Sequence, residues 1–165
     1  MLRRVDAQDW KDIQAICESS KNTPYAQFDT PFDTDDQAVQ KRISKWTSAC
    51  DSKEHLFFAV CLNRRVIGYC AFNIRPNSYE AGYCFHADYH KNGYAKESLA
   101  ALLAWLKKER ITERVTVRTA LENLPSVALI ASLGFRKIGT EQVSFYQDEN
   151  GTPIYFGGGI FELIL

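Results

Sequence analysis

The sequence predicts an α+β fold, a mixed and mostly antiparallel central sheet with helices on both faces, in the order β-α-α-β-β-β-α-β-α-β-β. Three observations carry that expectation. Residues 55–62, 65–74 and 79–86 are rich in β-branched and aromatic side chains. The turn chemistry of Asn63-Arg64 and Arg75-Pro76-Asn77-Ser78 separates them, which makes an antiparallel meander. Residues 94–109 then place Leu99, Leu102, Leu103 and Leu106 in one stripe at helical spacing. A short alternating strand, a capped helix and two more β segments complete the chain.

In chain order, residues 2–5 read as a short strand. Asp6 is placed to cap a helix with Ala7, Trp10, Ile13, Ile16 and Cys17 on one face, ending near Ser20. Residues 21–36 contain Pro24, Pro31 and several aspartates without a period, so an exposed connection is expected. Thr34 and Gln37 have capping-box spacing before a second helix, in which Val39, Ile43 and Trp46 recur to about Thr47. In the helix at 94–109, Lys107, Lys108 and Arg110 crowd the C-terminal end, where the dipole favours cations. Residues 114–120 alternate Val115, Val117 and Thr119 against Arg114, Thr116 and Arg118, the pattern of a half-buried strand. Asn123 is placed to cap the last helix, Pro125 suits its first turn, and Gly134 suits the left-handed position that ends it. The β segments 139–147 and 155–165 flank the turn Asp148-Glu149-Asn150-Gly151. Gly157-Gly158-Gly159 inside the last strand points to a bulge or a close backbone approach, for substrate or a partner subunit.

At 165 residues the chain is expected to form one domain over residues 1–165. Twenty Lys+Arg balance twenty Asp+Glu, so neither nucleic acid nor anionic membrane is an expected partner. Apolar runs are too short for a bilayer, and no basic region followed by an apolar stretch opens the sequence. Five cysteines without disulfide-scaffold or zinc spacing fit a reducing cytoplasm, and no metal is expected. The acceptable partners are small molecules or peptides.

The informative feature is His90-Lys91-Asn92-Gly93-Tyr94-Ala95-Lys96, between a strand and the N-terminus of the strongest helix. Gly93 and the small Ala95 let backbone N–H groups approach an anion, and the helix N-terminus contributes about half a positive charge there. Lys91 and Lys96 add side-chain charge. Together they form a pyrophosphate cradle; an ordinary strand-to-helix turn is the competing reading. A kinase or dehydrogenase phosphate site is excluded, because neither a Walker Lys-Ser/Thr nor a full Gly-x-Gly-x-x-Gly is present.

In this setting the segment resembles the signature of the GNAT superfamily of acetyltransferases, Gln/Arg-x-x-Gly-x-Gly/Ala, with His90 departing at the first position. A second segment has the same likeness. Glu122-Asn123-Leu124-Pro125-Ser126, then Ser132-Leu133-Gly134-Phe135-Arg136-Lys137 and Gly139-Thr140, is similar to the family's Glu-Asn-x-x-Ser…Leu-Gly-Phe-x-x-x-Gly-Thr. The resemblance extends over residues 56–140. Gly82-Tyr83, the run from Gly93 through Leu99, and the Asn-x-x-Ser spacing look most like the branch of ribosomal-protein N-terminal acetyltransferases.

That resemblance implies an N-acetyltransferase moving an acetyl group from acetyl-CoA to a primary amine, by direct transfer in a ternary complex. The acceptor is a protein N-terminus or a small-molecule amine, and the protein a monomer or homodimer. It implies that the pantetheine arm pairs with the strand at Cys84, Phe85 and His86, and that His90, Lys91, Asn92, Gly93, Tyr94, Ala95 and Lys96 hold the pyrophosphate. Asn123 meets the pantetheine from the other side, or only caps its helix. Glu80, four residues before Cys84 and on the same strand face as Gly82, is the expected general base, or else a solvent-facing strand glutamate; Glu141 is the second candidate. The family's usual tyrosine acid is replaced by Ile130. Ser126, three residues after Asn123, lies where the resembled N-terminal acetyltransferase branch has a serine near the thiol, which implies the acid or sulfur-contact role for it; as a bland alternative it is a good first-turn helix residue, with Tyr83 and Tyr146 in reserve. Cys84 also admits an acyl-cysteine route, less favoured because no histidine is clearly paired with it. Asp29, Asp33, Asp35 and Asp36, with Phe28 and Phe32, are expected around the acceptor, or form a solvated loop. A non-catalytic acyl-CoA sensor on the same fold is the alternative function.

Overall fold

A computed structural model describes every residue except Lys53, and of Ser52 the backbone alone. The strands are β1 (Leu2–Arg4), β2 (His55–Leu62), β3 (Arg65–Arg75), β4 (Ser78–Phe85), β5 (Arg114–Ala120), β6 (Arg136–Gln147) and β7 (Pro153–Ile164). The helices are α1 (Trp10–Lys21), α2 (Asp36–Ser52), α3 (Tyr94–Lys108) and α4 (Leu124–Ser132). The expected element order is the observed one. The sheet runs β1-β2-β3-β4-β5-β7-β6, and only β4 and β5 are parallel.

Strand alternation divides the core into two layers. Phe57, Ala59, Cys61, Val66 and Ala71 face α1 and α2, meeting Ile13, Ile16, Cys17, Val39 and Ile43. Their neighbours Phe58, Val60, Ile67, Cys70 and Phe72 face α3 and α4, meeting Leu99, Leu102, Leu103, Leu106 and Ile130. Among the described residues no helix is long and apolar enough to cross a membrane.

The differences from expectation are local. Asp6 caps a 3₁₀ turn, Ala7–Asp9, that leads into α1; Asp9 completes the capping box and also grips Arg3 through both carboxylate oxygens, at 2.6 and 2.7 Å. Helix α2 is capped by Asp35, whose Oδ1 accepts from the N–H groups of Gln37 and Ala38, and not by Thr34. A carboxylate is the stronger acceptor at a positive helix end, and the Thr34 hydroxyl instead takes the Lys21 ammonium at 2.9 Å. The helix runs past Thr47 to Ser52. The glycines of β7 answer to close approach by neighbouring side chains. A Cβ at Gly158 would meet Glu141 Cγ at 2.9 Å, and one at Gly159 would meet Phe161 Cε2 at 2.6 Å and Leu121 Cδ2 at 2.8 Å. Where β6 pairs with β7, the irregularities lie on β6, at Lys137/Gly139 and Val143/Tyr146.

Candidate active site

Parallel strands β4 and β5 pair only at Tyr79–Val115 and Glu80–Thr116, and beyond Glu80 they part. β5 stays with β7 as far as Ala120–Gly158, while β4 stays with β3 as far as Phe85–Gly68. A wedge therefore opens toward the C-terminal ends of both strands, along about 16 Å of β4. His86 donates its N–H to the Ile67 carbonyl at 3.0 Å. Antiparallel ladders alternate the hydrogen-bonding direction, so His86 and Cys84 turn their main chains to β3, and Tyr83 and Phe85 turn theirs into the wedge. Of the three residues expected along the cofactor arm, only Phe85 presents main-chain groups there. Tyr83 is its companion; the register with β3, which sequence does not reveal, selects it.

At the mouth, the His90 ring explains its own departure from the family signature. Its Nε2 bonds the Phe85 carbonyl at 2.9 Å, tying the loop to the end of β4. Asn92 braces the loop from within, donating Nδ2–H to the His90 carbonyl at 2.9 Å. Lys91 and Gly93 both take left-handed backbone, φ 61° and 81°, the alternation that turns successive N–H groups toward one concavity. No side chain caps α3; its first internal bond runs from Glu97 N–H to the Gly93 carbonyl, so the N–H groups of Tyr94, Ala95 and Lys96 belong to an open first turn. A Cβ built on Gly93 meets nothing within 4 Å, and Lys91, Asn92 and Lys96 are exposed beside it.

Across the wedge stand Asn123 and Ser126. Asn123 Oδ1 accepts the Ser126 N–H at 3.3 Å, so the capping role is present. The Ser126 hydroxyl and the Tyr83 phenol share a hydrogen bond of 2.7 Å that spans the gap. Burial pushes the Tyr83 phenol up to about 12, against the opposing effect of that bond. Ile130 is fully buried in the core, so no phenol comes from its position.

Glu80 is differently placed from the free carboxylate the sequence suggested. Its Oε1 meets Arg75 Nη2 at 3.1 Å and its Oε2 meets Arg118 Nε at 3.3 Å, and Arg118 Nη1 continues to Glu141 Oε2 at 3.0 Å. Both candidate bases thus belong to one chain of charges, which starts at Glu80 where β4 and β5 still pair. Because these pairs are partly exposed, Glu80→Gln should lower unfolding free energy in urea by only about 1 kcal/mol.

Two clefts lie between the segment 21–36 and the β6–β7 hairpin. The larger, of about 630 Å³, is lined by Phe28, Glu122, Ile154, Tyr155 and Phe156; the smaller, of about 370 Å³, by Cys17, Lys21, Asp29 and Phe32; Ala26 and Tyr146 belong to both. The four aspartates grouped by sequence separate here. Asp33 caps a turn through Asp35 N–H, Asp35 caps α2, and Asp36 accepts from Gln14 Nε2. Asp29 alone of the four lines one of these two clefts; it is exposed there, and desolvation by its surroundings pushes its carboxyl up. Burial also holds the Cys84 thiol up at about 12 and Cys17 at about 11, which keeps both protonated.

The site is thus a wedge between two splayed parallel strands, with the open first turn of a helix at its mouth. The chain belongs to the acetyltransferase (GNAT) family, whose domain model matches residues 1–136. It is similar to an uncharacterized N-acetyltransferase, YnaD, of Bacillus subtilis (strain 168), with 25% identity over 139 residues, 84% of this chain and 80% of that protein. Among solved structures it is similar to RimL, a ribosomal L7/L12 alpha-N-protein acetyltransferase in complex with coenzyme A, at TM-score 0.85 and 17% identity, covering 99% of this chain and 93% of that one. It is also similar to the microcin C7 self-immunity acetyltransferase MccE in complex with acetyl-CoA and AMP, at TM-score 0.83 and 14% identity, covering 99% and 91%. The protein is an acetyltransferase with the fold of these neighbours.

Proposed function

We propose that the enzyme transfers acetyl from acetyl-CoA directly to a primary amine, a peptide N-terminus or a small-molecule amine, within a ternary complex. The observation that carries this reading is the wedge itself: an open first turn of α3 for pyrophosphate, the main chain of Tyr83 turned away from β3 toward the amide groups of pantetheine, with the Phe85 carbonyl beside it held by His90, and Ser126 on the opposite wall. On this reading Asn123 keeps its cap and turns its amide nitrogen to the pantetheine, and Ser126 meets the sulfur. Glu80 holds the closed end of the wedge, because both its oxygens are engaged by guanidinium groups. The half-buried Cys84, its thiol pushed up to about 12 by desolvation, supports direct transfer over an acyl-cysteine route.

Acetyl-CoA turnover over a panel of peptide N-termini and free amines tests the proposal, read as thiol release. The expected result is acceptor-dependent release with ternary-complex kinetics. Tight acetyl-CoA binding with no release for any acceptor would favour the sensor reading instead. Ser126→Ala should lower kcat about 10-fold, the loss of one hydrogen bond of about 1.5 kcal/mol to the leaving sulfur, with little change in acetyl-CoA affinity. Unchanged kcat would remove Ser126 from the reaction.

A further inference from the structure

We infer that Tyr83 positions Ser126 for the transfer: reaching across the wedge, its phenol donates to the Ser126 oxygen and leaves the Ser126 proton free for the departing sulfur. This rests on the transferase reading above, which gives the sulfur to Ser126, and adds to it the residue that sets Ser126 in place.

Position argues first. Tyr83 stands on β4 opposite the fully buried Cys70 of β3, and two residues from the buried Ala81 and Phe85 on the same strand face. Its ring packs against the core layer that holds α3 and α4, so the core fixes where the phenol oxygen lies. Ser126 belongs to the first turn of α4, and its own N–H goes to Asn123 Oδ1 at 3.3 Å. Among the described residues the Ser126 hydroxyl meets only the Tyr83 phenol, at 2.7 Å. A serine side chain chooses among three staggered rotamers, and this one contact makes the choice. The other phenol held in reserve is engaged elsewhere: Tyr146 donates to the Ala26 carbonyl at 3.4 Å, between the two clefts.

The direction of the bond argues second. A phenol gives up its proton more readily than an alkyl alcohol, and the alcohol oxygen is the more basic of the two, so Tyr83 donates and Ser126 accepts. A hydroxyl has one proton and two lone pairs; with a lone pair taken by the phenol, the Ser126 proton remains to be given. Donation into the Ser126 oxygen also polarises its O–H and strengthens the next bond in the chain.

Acidity decides what the pair does. Burial holds the Tyr83 phenol up at about 12, whereas an ordinary thiol titrates near 8.5, so the phenol is the weaker acid by roughly three powers of ten. A full proton transfer from phenol to thiolate runs uphill, and Tyr83 acts by holding its proton. In the transfer the neutral amine nitrogen bonds to the thioester carbonyl carbon, and the C–S electron pair departs on sulfur. The Ser126 O–H meets that charge as a hydrogen bond. The nitrogen releases its surplus proton to solvent, and the thiolate takes one from solvent as it leaves; Ser126 and Tyr83 end as they began.

The test is a double-mutant cycle of Tyr83→Phe, Ser126→Ala and the pair, with acetyl-CoA as donor and the fastest acceptor of the panel above. Tyr83→Phe keeps the ring and the main chain, and should lower kcat about 5-fold with acetyl-CoA affinity unchanged. Because Tyr83 works through Ser126, the double variant should fall about 10-fold, like Ser126→Ala alone, where independent roles multiply to about 50-fold. A ¹⁹F signal from 3-fluorotyrosine placed at position 83 reads the bond without turnover and should move in Ser126→Ala. Wild-type kcat in Tyr83→Phe, multiplying losses in the double variant, or an unmoved ¹⁹F signal would overturn the inference and leave the transferase reading standing. A loss in Tyr83→Phe that appears in acetyl-CoA affinity rather than kcat makes the ring a wall of the donor site and overturns it too. No thiol release from the wild type with any acceptor would sink the transferase reading, and the inference with it.

Discussion

Replacing Gly93 by valine is expected to weaken acetyl-CoA binding by on the order of 100- to 1000-fold while the protein stays folded. Gly93 sits at φ 81°, which a β-branched residue adopts only with strain, and its neighbour Lys91 is already left-handed at φ 61°. Relief of that strain turns the loop, and each charge-assisted N–H bond to a phosphate lost from the first turn of α3 is worth about 1.5–3 kcal/mol. The open space at the Gly93 Cβ position is also where a bound anion would lie, so the added methyls occupy the site directly. Gly93→Ala should fall between. Isothermal titration with acetyl-CoA, with circular dichroism as the fold control, checks this; unchanged affinity in folded Gly93→Val would remove the cradle assignment.

Gly68→Ala is expected to destabilise the fold by about 1–3 kcal/mol and to weaken acetyl-CoA binding as well. A Cβ there would meet Phe85 Cε1 at 2.6 Å and Cγ at 2.7 Å, and the Phe85 ring is itself buried. The ring can yield only by moving the end of β4, and with it the Phe85 carbonyl that anchors His90. A substitution on β3, outside both clefts, thus disturbs the donor site. Urea unfolding and acetyl-CoA titration of the same variant measure the two effects, and Phe85→Leu in the Gly68→Ala background should recover much of the stability by giving the methyl room. A stability loss with undiminished acetyl-CoA affinity would separate Phe85 from the donor site.

Much of this architecture is written in local patterns. The leucine stripe of α3, the alternation of β5 and the Asn63-Arg64 turn, where both residues take positive φ, each depend on spacing alone, and each is found within a residue of its expected place. The loop before α3 is legible for the same reason, since Gly93 and the α3 N-terminus are adjacent in the chain. What depends on register or on side chains meeting across the sheet is not legible. The direction of the Tyr83 main chain follows from the pairing of β4 with β3. The engagement of Glu80 needs Arg75 and Arg118, on two other strands, to converge on it. Asp29 could be grouped with three other aspartates by composition, but only the folded loop shows that those three are spent on caps and a Gln14 contact. Thr34 lost the α2 cap to Asp35 because charge, absent from the spacing rule, decides between two neighbouring acceptors.

The bond from His90 to the Phe85 carbonyl ties the loop before α3 to the end of β4. Coenzyme A is a long, flexible chain whose two ends are recognised by different chemistry, charge at one and main-chain amides at the other. On the proposed reading, the imidazole that fastens these two surfaces together would make the protein a gauge of fixed length, setting the depth at which a ligand anchored at its phosphates presents its sulfur. An acyl group of any size would then start from the same point, and the room beyond that point would decide which acyl chains the enzyme accepts.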